Sequence, residues 1–237
     1  MKQLLIAFIS FLIVNSVTAQ KIINDPNAEI RKASDFHALK ISGGFTVILT
    51  QSNEESLAVS ANQKEFMEHI RTEVDKGVLK IWYEEKNKFW PKNKKLKAYI
   101  SVKNLENIQL DGASDIKIEG QLTTDELNLH LSGASDLKGA VVVKGKFEIK
   151  LNGASDINIT GSANNTSIDA SGASDVKAYD FTTSFCDVDA SGACSVHISV
   201  DKELSARLSG ASSVSYKGAA MIKEIKTSGA SNISRKS

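Results

Sequence analysis

One four-residue word constrains this chain more than anything else in it. GASD stands at 112–115, 133–136, 153–156 and 172–175, and continues as GACS at 192–195, GASS at 210–213 and GASN at 229–232. The glycines Gly112, Gly133, Gly153, Gly172, Gly192, Gly210 and Gly229 lie 21, 20, 19, 20, 18 and 19 residues apart. A nearly constant period of this length marks a solenoid, whose laps keep strand register while their loops absorb a residue or two.

Counting from each glycine reveals the inward positions. Four residues before it stand Ile108, Leu129, Ile149, Ile168, Val188, Ala206 and Ile225, and two before it Leu110, Leu131, Leu151, Ala170, Ala190, Leu208 and Thr227. Four after it come Ile116, Leu137, Ile157, Val176, Val196, Val214 and Ile233, mostly β-branched. The residues between are polar, as Lys150, Asp169, Asp189 and Arg207 before the turn and Lys117, Lys138 and Lys177 after it. Period two on both flanks spells strand, corner, strand, and no helical spacing fits. Such laps stack only if each strand pairs with its counterpart one lap later. The expected fold is therefore all-β, a right-handed parallel β-helix of roughly 20-residue laps with GASD corners. The small inward residues Ala170, Ala190 and Ala206 predict a narrow interior packed solid.

The repeated laps occupy residues 99–237, and residues 36–98 form an irregular N-terminal part of the same 36–237 domain. Leu39, Ile41, Gly43, Val47 and Leu49 repeat the alternation as a degenerate lap. Beyond it the spacing predicts a strand over 57–60, a short helix over 63–70 and a hairpin across Asp75, Lys76 and Gly77, together a cap for the open end of the core. Residues 1–19 have a basic start, an apolar run too short to span a bilayer, and a small residue, Ala19, before Gln20, which is the pattern of a cleaved signal peptide. Residues 20–35 are then a linker. With no Cys at the cleavage point and no later apolar run of spanning length, we expect an exported product without a lipoprotein anchor or transmembrane segment, in the periplasm, on the outer-membrane surface or extracellular. Losing Lys2 with the leader leaves 28 basic residues against 28 acidic, so no global charge steers the chain to nucleic acid or a membrane.

The corner can be read in two ways. Asp115, Asp136, Asp156 and Asp175 could form a carboxylate ladder for a hard cation. Yet the column continues as Ser195, Ser213 and Asn232, which share with Asp only a short side-chain oxygen able to hold a tight turn through a backbone N–H two residues on. That skill explains all seven members, so these are structural corners and no metal or cofactor is expected. The adjacent Ser column admits Cys194, implying a small enclosed slot.

The stretch YISVKNLENIQLDGASDI, followed by SGASDL, NGASDI and SGASDV, and preceded by ALKISGGFTVILTQ and DKGVLKIWYE, resembles the GIN-domain family, formerly a domain of unknown function and described as a putative autotransporter adhesin head domain. The resemblance covers nearly all of 36–237. It implies a right-handed β-helix in an exported bacterial protein with an adhesive role, and no catalytic residues. The last lap ends close to Ser237, so we expect no appended outer-membrane barrel.

One patch is strongly biased: Lys86, Lys88, Lys92, Lys94, Lys95 and Lys97, interleaved with Phe89 and Trp90. Cations beside aromatics suit an acidic glycan or an envelope phosphate; secretion argues against nucleic acid. The plainer reading is a solvated hairpin loop whose Trp90 covers the end of the core. His37, His69, His130 and His197 are scattered, without zinc spacing. Cys186 and Cys194 are expected to be two small, partly buried thiols, with a disulfide in an oxidising compartment as the alternative. The outward column Lys150, Asp169, Asp189 and Arg207 is the one arrangement resembling a polysaccharide-processing enzyme, and cross-strand charge pairing explains it equally well. The expected function is thus a noncatalytic adhesion or binding module for a glycan or other envelope component. A glycan-processing enzyme is the alternative, and a third reading is a structural protein that self-associates through the C-terminal rung around Ile233.

Overall fold

Flanks that alternate every second residue bury their apolar side only by stacking on copies of themselves. The structure, a computed structural model, describes residues 25–84 and 93–236. Its strands begin with β1 (Glu29–Arg31), β2 (Ala38–Ser42), β3 (Phe45–Gln51) and β4 (Ser56–Ala61). A single-turn helix, α1 (Lys64–Met67), leads to β5 (Ile70–Asp75), β6 (Val78–Tyr83), β7 (Leu96–Val102), β8 (Asn107–Asp111), β9 (Asp115–Thr124) and β10 (Leu127–Gly133). The long strands β11 (Asp136–Gly153), β12 (Asp156–Gly172), β13 (Asp175–Gly192) and β14 (Ser195–Leu208) run through whole laps, and β15 (Ser213–Lys217), β16 (Met221–Thr227) and β17 (Asn232–Arg235) close the chain.

These strands make a β-solenoid. Before the corner, a parallel ladder runs from β6 through β2, β8 and β10 to the ends of β11, β12, β13 and β14 and then β16. After the corner, a second ladder runs from β7 through β3, β9 and the starts of β11 to β14 to β15 and β17. A third, shorter face aligns Leu122 with Val141, Val141 with Gly161, and Gly161 with Phe181. Like stacks on like: Asp136 lies opposite both Asp115 and Asp156, and Gly133 opposite Gly153.

The inward columns are buried as the alternation demands, with Leu110, Leu131, Leu151 and Ala190 fully enclosed, except in the last lap, where Ile225 and Thr227 are exposed and Ile233 is half-buried because no further rung covers them. Where the column shrinks to Ala170 and Ala190, Phe147 and Phe181 fill the interior, their ring centroids 5.7 Å apart. Each such buried Leu or Phe contributes about 1.5–3 kcal/mol over leaving it exposed.

The N-terminal part departs from simple succession. The degenerate lap, β2 and β3, is not the terminal rung: β2 pairs with β6 on one side and β8 on the other, and β3 with β7 and β9. The chain leaves β3, builds the cap, and returns on the far side of its own first lap. Antiparallel strands then end each ladder, β5 on β6 and β4 on β7, with β1 added outside β4. They stop the parallel edge from templating further laps. Phe66 and Met67 of α1 are buried over this end. The three residues of β1 fall in the stretch expected to be a linker. They are too few to show a period, and only their partner β4 makes them a strand.

Candidate functional site

The repeated corner is held by its serines. Ser114, Ser135, Ser155 and Ser174 are fully buried, and each hydroxyl donates to the carbonyl three residues earlier, as Ser135 Oγ does to Ser132 at 3.0 Å. Each also accepts from the rung before: the N–H of Ser135 reaches Ser155 Oγ at 3.5 Å, and that of Ser155 reaches Ser174 Oγ at 3.4 Å. Cys194 takes the same slot, its Sγ 3.2 Å from the Ser191 carbonyl. The buried polar column is therefore satisfied along its length, as buried polar groups must be.

The aspartates stand one residue further out, at the surface. The backbone N–H of Asp136 donates to the Ser114 carbonyl on the rung before at 3.3 Å, so the bond at this position runs between laps rather than two residues along the turn. Burial first, and the neighbouring Asp136 second, push the Asp115 carboxyl above the usual range. Two rungs on, Lys177 Nζ lies 3.7 Å from Asp156 and 3.8 Å from Asp175 and offsets the like charge. Among the described residues no three His, Cys, Asp or Glu side chains converge as a metal would require.

The basic patch falls in the connection between β6 and β7. β6 is in register with β2 and β7 with β3, so residues 84–95 join the same two faces that Gly43 and Gly44 join in the next lap. Twelve residues replace a two-residue turn. Lys86, Lys88, Phe89, Trp90 and Lys92 lie outside the described residues. Of the remainder, half-buried Lys94 places its ammonium 3.6 Å from the centroid of the Tyr83 ring. Asn62 fixes the returning strand, accepting the N–H of Lys95 at 2.9 Å and donating to the Asn93 carbonyl at 2.9 Å.

Exposed Lys97 sits 3.6 Å from Asp25, whose buried carboxylate also accepts the Tyr99 hydroxyl at 2.8 Å. Burial raises the Asp25 carboxyl, but bonds from Tyr99 and Ser60, with the Lys97 charge, bring it below the ordinary value. Burial and Asp25 together push the Tyr99 phenol up to about 12. This tether pins the start of the described chain beside the loop. No spacing rule marks Asp25, because its partners lie 72 and 74 residues away.

Two of the four residues of the enzyme-like column, Asp189 and Arg207, are held in an ion pair. Lys150, Asp169, Asp189 and Arg207 occupy successive rungs, and Arg207 reaches Asp189 and Glu224, each at 3.3 Å. Both cysteines are free and buried, and burial pushes the Cys186 thiol far up. His130 bonds Asn152 at 3.1 Å, and His197 bonds the Tyr179 hydroxyl at 3.1 Å, on different faces. A polar groove of about 470 Å³ lies where the third face meets the first, lined by Asn104, Glu106, Asp125 and Lys144 among others, and Lys144 is paired with Asp125 at 2.9 Å.

A family described as "Putative auto-transporter adhesin, head GIN domain" matches residues 35–220. The chain belongs to this family. No protein of curated function matches the GIN-domain chain. Its fold is similar to that of a "putative adhesin" from Bacteroides fragilis, with a TM-score of 0.80 at 20% identity, covering 88% of this chain and 96% of that one. A "putative adhesin" from Parabacteroides merdae gives 0.68 at 16% identity, over 89% and 95%. A "putative lipid binding protein" from Parabacteroides distasonis gives 0.70 at 19% identity, over 90% and 98%. At these identities the likeness is one of fold.

Proposed function

We propose that this GIN-domain chain is a noncatalytic adhesion module of the bacterial cell envelope that binds an acidic glycan or a phosphate-bearing envelope component through the loop at 84–95. One observation carries this reading: a twelve-residue basic and aromatic insertion stands where every repeated lap has a tight, self-satisfied corner. A solenoid needs only the short turn, so the insertion is surplus to folding, and binding residues sit disproportionately on loops held by a rigid scaffold. The leader at 1–19 would deliver the module outside the cytoplasm. The noncatalytic reading is supported by Arg207, whose pairing with Asp189 and Glu224 leaves no isolated acid pair for glycoside cleavage in that column.

The test is an array of envelope glycans and lipopolysaccharide at low and moderate salt. It compares the protein with a variant in which Lys86, Lys88, Lys92, Lys94, Lys95 and Lys97 are all Gln. Salt-sensitive binding by the protein that the variant loses supports the loop; equal binding by both sinks it.

A second reading has its own observation. Met221, Ile222 and Ile225 of β16 are 69%, 40% and 42% exposed, on a parallel edge with no further strand among the described residues. Such an edge favours self-association. We infer pairing of two copies through it; sedimentation over a wide concentration range should show a dimer that Ile225→Lys abolishes, and a monomer throughout rejects it.

A further inference from the structure

At the other end of the stack, the outer side of the second ladder carries a cluster that no repeat requires. It begins with a change of lap length, 20 residues from Gly172 to Gly192 and then 18 to Gly210. Three residues drop out at one place, where Ala178 pairs with Ile198 but Thr182 already pairs with Ser199, and one is regained before Phe185 pairs with Glu203. Tyr179, Asp180 and Phe181 therefore have no counterparts on the next rung. Phe181 turns into the core and is fully buried, while Tyr179 stays half-exposed on the outside.

Ser199 bonds the Tyr179 carbonyl at 2.7 Å and is too small to cover the ring. The ring instead collects cations from the two rungs beyond. Lys217, which pairs with Ser199, and Lys236, whose N–H bonds the Tyr216 carbonyl, each hold an ammonium 4.9 Å from its centroid. The His197 ring lies 5.0 Å away, with Nδ1 at the phenol.

Two charges each within 4.9 Å of one point are at most twice that, 9.8 Å, apart, which like charges resist. Lys177, Lys223 and Lys226 each have a carboxylate: Lys177 has Asp156 and Asp175, Lys223 has Glu203, and Lys226 has Glu224. Among the described residues Lys217 and Lys236 form no such pair. A ring face attracts cations without neutralising them, so the positive potential remains available to an anion.

We propose that Tyr179, His197, Lys217 and Lys236 form a second binding site, for the sulfate or carboxylate groups of an acidic polysaccharide. The surface is a ladder face rather than a pocket, which suits an extended polymer better than a small enclosed ligand. Ser215 and Ser234, in register with His197 on successive rungs, continue it with hydroxyls 3.5 Å apart. No exposed aliphatic side chain stands among the four to enter a bilayer. Along β7, β3, β9, β11, β12 and β13 the site lies five strand spacings, or about 24 Å, from the corner loop, so the two readings are independent.

To isolate this end, the five lysines of the 84–95 loop and Lys97 of β7 are first changed to Gln. In that background, retention on immobilised heparin and on polygalacturonate is measured against salt. The proteins compared are the background itself, the double variant Lys217→Gln/Lys236→Gln, and a control Lys223→Gln/Lys226→Gln that removes the same charge from β16, at the same end of the stack. The site predicts binding about tenfold weaker in the double variant on at least one polysaccharide, with the control within about twofold. Equal losses in the two variants, or no retention of the background protein at about 0.05 M salt, overturn it. Lys217- and Lys236-dependent binding to phosphatidylglycerol vesicles without polysaccharide retention overturns the ligand assignment. Because the loop is neutralised throughout, none of these outcomes bears on the corner-loop proposal.

Discussion

The GASD corner and the 84–95 corner span the same gap between the same two faces, yet they are built on opposite principles. In the repeated laps the turn is small, its serine is buried, and the N–H of Ala173 donates to the Gly153 carbonyl at 2.7 Å, so each corner is a template for the next. In the cap lap the connection between β6 and β7 is twelve residues long and rich in Lys, with Phe89 and Trp90 among them. Stacking forbids variation wherever a rung has a neighbour on both sides, and permits it at the last rung. A binding loop therefore has room at the cap, and the interior corners have none.

The sharpest way to break this contrast is to add one carbon to an interior corner. A Cβ on Gly172 would lie 2.3 Å from the Gly153 carbonyl oxygen, and its φ of +87° already disfavours a side chain. Gly172→Ala should lose about 2–4 kcal/mol, whereas Gly120→Ala, with a φ of +78° but nothing within 4 Å, should lose about 1 kcal/mol. Urea unfolding of both variants checks the difference, and equal losses would mean that interlap contact is not what restricts the corner. A smaller effect follows from the serine column. Ser155→Ala removes the hydroxyl that the Ser135 N–H uses and should cost about 1–2 kcal/mol. Ser155→Cys should cost less, as Cys194 already fills that slot, and the order of the two melting temperatures decides it.

The smallest effect concerns the aspartates. Asp115 prefers its proton in the folded state, so its ionisation at neutral pH opposes folding. Asp115→Asn should therefore stabilise by about 0.5 kcal/mol or less, because the group is exposed and screened. The gain should be present at neutral pH and fade as the pH falls through the raised pKa, where the parent carboxyl is protonated as well. Denaturant midpoints at neutral and acid pH test the sign.

The laps were legible because a stacked parallel strand writes its environment into every second residue. From Ile108 to Ile233 the columns counted from the glycine are the columns that stack. The corner's hydrogen bonding was less legible. Ser and Asp both carry a short oxygen, and only burial separates Ser135, fully enclosed, from exposed Asp136. Asp25 and Tyr179 left no signal, since one acts through distant partners and the other through a register shift between laps.

By itself, the sequence determined the fold class, the lap length and which residues face inward, because those properties are local and repeat. The tertiary structure alone decided that β2 and β3 lie between the cap and the first GASD lap, that β6 and β7, which flank the basic stretch, are the outermost parallel strands of the two ladders, and that Lys217 and Lys236 meet at Tyr179. The physical reason is that a strand edge accepts any partner of suitable register however distant in the chain, so a period specifies the rungs and only the pairing specifies their order.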